Sequence, residues 1–172
     1  MDSGKPIWMK QLYFNHLLPF ARMLDNEWVG PHGDVAFQVN IMDKPSMRVK
    51  RHRDHQDISF QYGVGLGSYE GGDVLVYNQK EETGYKICIK RQVVRLDGRF
   101  FHEAMPITSG IRFSIYIYKG FDRLRSFTEP LQWPPSIVYW QNEIMPMEKI
   151  DVPPDLLQDD SKTKRGRRHK QM

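Results

Sequence analysis

The alternation of apolar and polar positions divides the chain into a helical start and a long β-rich middle. Residues 8–28 place apolar side chains at roughly helical spacing, and Pro19 divides them into two short amphipathic helices. From residue 35 to residue 119, short runs of β-forming residues alternate with turn signals, among them a hairpin turn at Gly71-Gly72. Many short strands at regular spacing are typical of a sandwich or a closed jelly roll rather than of alternating α/β units.

Changes in composition along the chain predict four parts. A helical preface covers residues 1–34, a jelly-roll core covers 35–127, a packing extension with prolines and aromatic residues covers 128–150, and a disordered basic tail covers 151–172. The predicted fold class is therefore mainly β, a jelly roll with a short N-terminal helical preface.

The net charge of +4 is concentrated in the tail. The last twelve residues carry six lysines and arginines and no acid, so residues 1–160 hold 19 basic and 21 acidic side chains, a net charge of −2. Such a tail can be a nuclear-import signal, a phosphate-binding arm or a solvated end. The chain has no apolar run of membrane-spanning length, and its single cysteine, Cys88, excludes an internal disulfide. We expect a soluble protein of the nucleus or cytoplasm, without a membrane partner.

The segment RVKRHRDHQD contains the first candidate for chemistry. His52 and Asp54 are two residues apart, and in a strand this spacing places both side chains on one face. His102 follows a turn at Gly98, at the edge of another predicted strand. Two histidines and one carboxylate from separate strands match the facial triad of non-haem Fe(II) sites, which leaves coordination positions open. A second H-x-D pair, His55 with Asp57, overlaps the first and is the alternative.

The segment IRFSIYIYK supplies a candidate for binding an anion. By strand alternation Arg112 and Ser114 share one face, and the isoleucines and Phe113 share the other. If the apolar face packs against helices, Arg112 points into the interior, where an unpaired guanidinium is costly. A carboxylate ligand would relieve that cost, because a guanidinium pairs with it through two hydrogen bonds and a nearby hydroxyl adds a third.

Taken in order, these segments resemble a known family. FQVNIM, His52-x-Asp54, GVGLGSYEGGDVLVY, LDGRFFHEAMP and GIRFSIYIY look like the double-stranded β-helix of Fe(II)/2-oxoglutarate oxygenases, and the chain most resembles the compact group related to the TET/JBP nucleobase oxygenases. The resemblance covers roughly residues 35–120. It implies that His52, Asp54 and His102 bind iron and form the catalytic centre, and that Arg112 and Ser114 bind the far carboxylate of 2-oxoglutarate.

The resemblance also implies a reaction. Such an enzyme consumes O₂ and 2-oxoglutarate, releases succinate and CO₂, and hydroxylates a C–H bond of its substrate. A modified nucleobase is one candidate substrate, because Arg48, Lys50, Arg51 and Arg53 lead into the proposed iron site and could hold phosphates. Two alternatives are a protein side-chain hydroxylase and a catalytically silent jelly roll that serves as a binding module.

Overall fold

The computed structural model describes residues 6–120, 131–138 and 147–152, and these residues are mainly β. Three helical segments come first: α1 (Ile7–Leu12), a π-helical turn (Tyr13–Leu17) and α2 (Leu18–Val29). The strands that follow are β1 (Ala36–Met42), β2 (Val49–His52), β3 (Gln61–Leu66), β4 (Tyr69–Gly71), β5 (Val74–Tyr77), β6 (Thr83–Ile87), β7 (Val93–Leu96), β8 (His102–Ala104), β9 (Ile107–Gly110), β10 (Arg112–Tyr118), β11 (Ser136–Val138) and β12 (Glu148–Asp151).

The strands form two five-stranded antiparallel sheets and one small pair. Sheet A has the order β1-β10-β3-β7-β11, sheet B has the order β12-β6-β5-β8-β2, and β4 pairs with β9. The chain passes repeatedly between the sheets, since β1 and β3 lie in sheet A whereas β2 and β5 lie in sheet B. This winding is that of a jelly roll, so the predicted fold class is confirmed.

The helical segment is continuous at the proline and broken elsewhere. Pro19 lies in the first turn of α2, directly after the π-helical turn, and the backbone stays helical through it, so it does not divide two helices as the sequence suggested. The non-helical residue is Asp25, with φ −160° and ψ 89°. Its Oδ1 accepts a hydrogen bond from the Trp28 N–H (2.9 Å), as the side chain of an N-cap does. The last turn of α2 therefore restarts at Asp25.

The helices cover one end of the outer face of sheet A. Buried residues of α2, β3, β7 and β10 share one core there, and Trp28 stacks on Phe60 with ring centroids 5.2 Å apart. Side chains of β5, β6 and β7 form a second core that joins the two sheets. No helix in the described ranges is long and apolar enough to span a bilayer.

Two features of the fold differ in detail from the sequence-based interpretation. Gly71-Gly72 is not a hairpin turn, because β4 pairs with β9 while β5 pairs with β6 and β8. Both glycines have positive φ and carry the chain from the small β-pair into sheet B. At the other end of the chain, Asp151 belongs to β12, and Val152 is buried and donates its N–H to the Glu82 carbonyl, so the first two residues of the expected tail pack against the fold. Residues 1–5, 121–130, 139–146 and 153–172, and with them the rest of that tail, lie outside the described residues.

Candidate active site

Three side chains expected from the sequence to act together meet at one end of sheet B. His52 is the last residue of β2 and pairs directly with His102, the first residue of β8. Asp54 follows β2, and its N–H donates a hydrogen bond to the carbonyl of Gly98 in the turn before β8 (2.8 Å). One possible ligand atom from each of His52, Asp54 and His102, an imidazole nitrogen or a carboxylate oxygen, lies within 4.8 Å of the other two. Strand pairing brings the two histidines together, and the backbone hydrogen bond between Asp54 and Gly98 holds the carboxylate beside them.

Both imidazoles are oriented by backbone carbonyls. Nδ1 of His52 lies 2.8 Å from the Lys50 carbonyl, and Nδ1 of His102 lies 3.0 Å from the Phe100 carbonyl. A carbonyl can only accept, so in a neutral ring Nδ1 carries the proton and the lone pair is on Nε2. The Nε2 atoms face Asp54: His52 Nε2 is 3.5 Å from Oδ1, and His102 Nε2 is 3.5 Å from Oδ2.

The carboxylate of Asp54 is held as tightly as the rings. Its Oδ2 accepts a hydrogen bond from the side-chain amide of Gln61 (3.2 Å). A Cβ atom at Gly98 would lie 2.6 Å from that oxygen and 2.4 Å from the Gln61 amide nitrogen. The turn before β8 can therefore approach the carboxylate only because residue 98 has no side chain.

The electrostatics of the cluster differ from residue to residue. The nearby Asp54 carboxylate raises the pKa of His52, whereas burial lowers the pKa of His102. Burial alone would raise the pKa of Asp54, but its contact with His52, the charges that both imidazoles can carry and the Gln61 amide together lower it. A carboxylate and a neutral, buried imidazole are the protonation states in which these groups bind a metal ion.

The donor set fits a divalent transition metal. Two imidazole nitrogens and one carboxylate suit Fe(II), and ligands about 2.1 Å from a common ion lie roughly 3 Å apart when they are at right angles. The 3.5 Å separations are close to that spacing and too long for strong direct hydrogen bonds. The fixed Nδ1 atoms are also the usual outer contacts of metal-bound histidines.

Arg112 is buried in the interior, 1% exposed, as strand alternation predicted. Its Nε donates to Ser114 Oγ (2.7 Å), its Nη1 donates to the Gly72 carbonyl, and its Nη2 lies 3.4 Å from the Tyr116 hydroxyl. These partners are neutral, and the guanidinium forms no salt bridge to an acid of the described residues. A buried cation without a counter-charge is a place where an anionic ligand is stabilised.

Two further groups lie beside this guanidinium. The positive charge of Arg112 acts on the Tyr69 hydroxyl, which is buried and has no hydrogen-bond partner among the described residues. A Cβ atom at Gly72 would lie 3.3 Å from Nη1 of Arg112 and 2.9 Å from Ile107 Cγ2. The glycine pair that the sequence suggested as a hairpin thus gives Arg112 a close carbonyl acceptor.

One cavity of about 650 Å³ lies beside the ligand cluster and reaches Tyr116, whereas Arg112 itself does not line it. His52, Asp54 and His102 line it, and so does Tyr116, whose hydroxyl faces Arg112. Burial raises the pKa of the Tyr116 hydroxyl, so it stays protonated and can donate as well as accept. Tyr116 therefore borders the same cavity as the expected ligand cluster and lies beside the expected anion-binding group.

The alternative H-x-D pair is not assembled. His55 is exposed and lies outside the cluster, so among the described residues the convergent set contains the first pair only. Asp57 instead has a separate position in the cavity wall, where its buried Oδ2 has no hydrogen-bond partner in the part of the chain that the structure describes. Burial, with help from Asp54 and Asp97, raises the pKa of Asp57 to about 7.

Sequence reasoning missed several contributors to the site. Gln61, Gly72, Tyr69 and Gly98 act through contacts between distant segments, and no spacing rule connects them to the ligands. The sequence does contain one signal, the glycine before the strand of His102, although its pattern predicts only a turn.

Comparisons with known proteins add little to this geometry. No protein-family model matches the chain, and no curated protein matches it. Among solved structures it is similar to a prolyl-4-hydroxylase from Pseudomonas putida, at 17% sequence identity and a TM-score of 0.43, over 71% of this chain and 72% of that one. A likeness of this size carries no function from one chain to the other, so the site itself has to supply the argument. The closer resemblance to the TET/JBP group stays a sequence-based expectation.

Proposed function

We propose that the protein is an Fe(II)- and 2-oxoglutarate-dependent oxygenase that hydroxylates a C–H bond. The observation that carries the proposal is one cavity with two kinds of binding group: the His52, Asp54 and His102 cluster in its wall, and Tyr116 leading to the buried Arg112. A metal-binding triad explains the first group, and a dicarboxylate co-substrate explains the second.

Each side chain has a definite task in this proposal. His52, Asp54 and His102 would hold iron, and Gln61 keeps the Asp54 carboxylate turned toward the imidazoles. Arg112 and Ser114 would hold the far carboxylate of 2-oxoglutarate, with the Tyr69 hydroxyl as an additional donor. When bound, iron supplies the oxidation: one oxygen atom of O₂ enters the substrate and the other enters succinate, with release of CO₂.

The substrate is either a modified nucleobase or a polypeptide side chain. The basic residues Arg48, Lys50, Arg51 and Arg53, around the first ligand of the triad, support a nucleobase, but two of the four already have partners. Arg51 forms a salt bridge with Glu81 and lies over the Phe101 ring, and Arg53 lies over the same ring at 3.9 Å. Arg48 and Lys50 are exposed and are left to hold phosphates.

The metal site is tested by anaerobic titration with Fe(II), followed by addition of 2-oxoglutarate. We expect the weak visible absorption of the iron–2-oxoglutarate chelate in the wild-type protein. His52→Ala and His102→Ala should weaken iron binding by more than the roughly 10- to 100-fold that loss of an outer contact causes. His55→Ala is the matched control and should bind as the wild type does. Weakened binding in His55→Ala alone would show that the other H-x-D pair is the ligand pair.

The co-substrate site is tested by uncoupled turnover, measured as succinate formed without substrate. Arg112→Ala should raise the 2-oxoglutarate concentration needed for half-maximal turnover by about 10- to 100-fold, because a charge-assisted contact is lost. Ser114→Ala should have a smaller effect in the same direction, and it serves where Arg112→Ala does not fold. Unchanged 2-oxoglutarate dependence in both variants would show that other residues bind the far carboxylate. Absence of both chelate and succinate in the wild type would favour a silent binding module.

A further inference from the structure

Strand β1 has an unpaired edge. It is the outermost strand of sheet A and pairs with β10 along all seven residues, Ala36 to Met42, without a register shift. In the described part of the chain, no strand and no other backbone hydrogen bond occupies its second edge. Alternate N–H and C=O groups of β1 therefore point away from the sheet, free to pair with another backbone.

The sequence of this edge lacks the usual protection. Exposed edge strands are normally kept from pairing by charged residues, proline, bulges or short length. The strand AFQVNIM has no charged residue, no proline and no glycine, and it is one of the two longest strands described. Such an edge is suited to accept an added strand.

The edge runs along the cavity that contains the triad. Residues 38–42 all line the cavity, both those on the inner face and those on the outer face of the strand, as expected when a strand presents its edge. The ligand cluster lines the same cavity. The terminal strand of sheet B, β2, contributes Val49 and His52 to the same cavity. A chain added to β1 would therefore pass beside the cluster.

The two faces of β1 indicate the chemistry of the added chain. On the outer face Val39 and Ile41 are 56% and 53% exposed. Ile41 is in register with Phe113 of β10, which is in register with Leu66 of β3, so three exposed apolar side chains form one row across the sheet. Apolar residues at alternate positions of an added strand would extend that row. On the inner face the amides of Gln38 and Asn40 face the cavity.

We propose that the free edge of β1 binds an extended polypeptide segment with apolar residues at alternate positions, and that this segment is the substrate. Its backbone pairs with β1, its outward side chains pack beside Val39 and Ile41, and one inward side chain is presented to the cavity of the triad. The substrate assignment rests on the oxygenase proposal; the binding mode does not. A nucleic acid lacks the alternating N–H and C=O groups that could pair with β1, and the strand has no positive charge to bind phosphates.

The test measures binding and hydrogen exchange on the full chain with a defined probe. The probe is a library of blocked synthetic peptides that alternate Val or Ile with polar residues. A matched library carries N-methyl groups on alternate amides, which keeps the side chains and removes the pairing donors. We expect the unmodified peptides to bind and to slow hydrogen exchange of alternate β1 amides. N-methylation of the set of alternate amides that faces β1 should lower the affinity by about tenfold or more, and methylation of the other set should not.

Substitutions on the protein provide an independent arm. Val39→Lys with Ile41→Lys should weaken peptide binding by about tenfold or more, because charges beside an edge oppose strand addition. Leu66→Lys is the control: it changes an exposed apolar residue of the same face, but on an inner strand without a free edge, and it should bind peptide as the wild type does. If the double variant does not fold, binding of the N-methylated peptides to the wild-type protein still tests strand addition.

Several outcomes overturn the proposal. Equal binding of methylated and unmodified peptides, or slowed exchange away from β1, excludes strand addition. A wild-type dimer that Val39→Lys with Ile41→Lys makes monomeric, without peptide binding, assigns the edge to a second copy. Oxidation of DNA containing 5-methylcytosine, with no peptide gaining an oxygen atom, assigns the substrate to nucleic acid. If no succinate forms but peptides bind as expected, the oxygenase proposal fails and the binding site stands.

Discussion

At the scale of single residues, Gly98 shows how closely the candidate site is packed. Its carbonyl accepts the Asp54 N–H, and a Cβ atom at this position would meet polar atoms of Asp54, Gln61 and Asp57 within 3.0 Å. A side chain here would displace the carboxylate or the amide that holds it. The site therefore depends on a residue that contributes no functional group.

Gly98→Ala should weaken Fe(II) binding by roughly 10- to 100-fold, as loss of an outer contact does, because the added methyl group displaces the Asp54 carboxylate. Isothermal titration under anaerobic conditions measures the affinity. Gly120→Ala is the control, since the nearest atom to its added Cβ would be Tyr118 Cε2 at 3.6 Å, an ordinary contact. Equal affinity in the two variants would show that the turn before β8 has room to move.

Asp57 predicts a pH dependence of stability in the metal-free protein. Its pKa is raised from 3.8 to about 7, chiefly by burial. Since the folded state resists ionisation of this carboxyl, wild-type stability should fall as the pH rises from about 4 to about 7. Asp57→Asn removes this cost. The variant should match the wild type at pH 4 and exceed it at pH 8 by at most about 4 kcal/mol.

Thermal unfolding of both proteins across this pH range provides the measurement. The metal-free state is required, because a bound cation nearby would favour the charged carboxylate. A stability difference that does not change with pH would mean that Asp57 ionises in the folded protein as readily as in the unfolded chain.

At the scale of elements, α2 is fixed to the barrel by Trp28. Its Nε1 donates to Ser59 Oγ (3.0 Å), its ring stacks on Phe60, and the edge of Tyr62 meets it at 5.2 Å. Tyr62 also donates to Asp25 Oδ2 (2.9 Å), the residue at which the helix restarts. The break in α2 and its attachment to sheet A are therefore one arrangement.

Trp28→Ala should lower the free energy of unfolding by about 3–5 kcal/mol, because it leaves a large cavity and removes the hydrogen bond to Ser59. Trp8→Ala is the control. Trp8 lies on α1 and is mostly exposed, so its loss should change stability by no more than about 0.5 kcal/mol. Chemical denaturation of the two variants measures the difference. Similar values would mean that α2 is not essential to the stability of the barrel.

Local patterns predicted the elements better than they predicted the contacts between them. Alternation in IRFSIYIY correctly placed Arg112 and Ser114 inside, because a strand with one apolar face has only one stable orientation. The interruption of the helix was assigned to Pro19 rather than to Asp25, because the conformation of Asp25 depends on Trp28 and Tyr62. The position of Gln61 beside Asp54 depends on how the segment after β2 returns to sheet A, which no local pattern reveals.

At the scale of the whole molecule, the two candidate binding groups belong to different layers. His52 and His102 are adjacent strand ends of sheet B, and Asp54 directly follows β2. Arg112 and Ser114 belong to β10, an inner strand of sheet A. The fold thus divides the site between its two sheets.

A dicarboxylate held at both places would act as an internal cross-link between the layers of the sandwich. Metal alone would join only neighbouring strands of one sheet, and the dicarboxylate alone would be anchored at one end. We therefore expect the two ligands together to raise the melting temperature by more than the sum of their separate effects, as scanning fluorimetry under anaerobic conditions can measure. Strictly additive shifts would mean that the two ligands bind independently. With the cross-link in place, the protein is most rigid when both ligands are bound, and the two sheets are free to relax when the shortened product leaves.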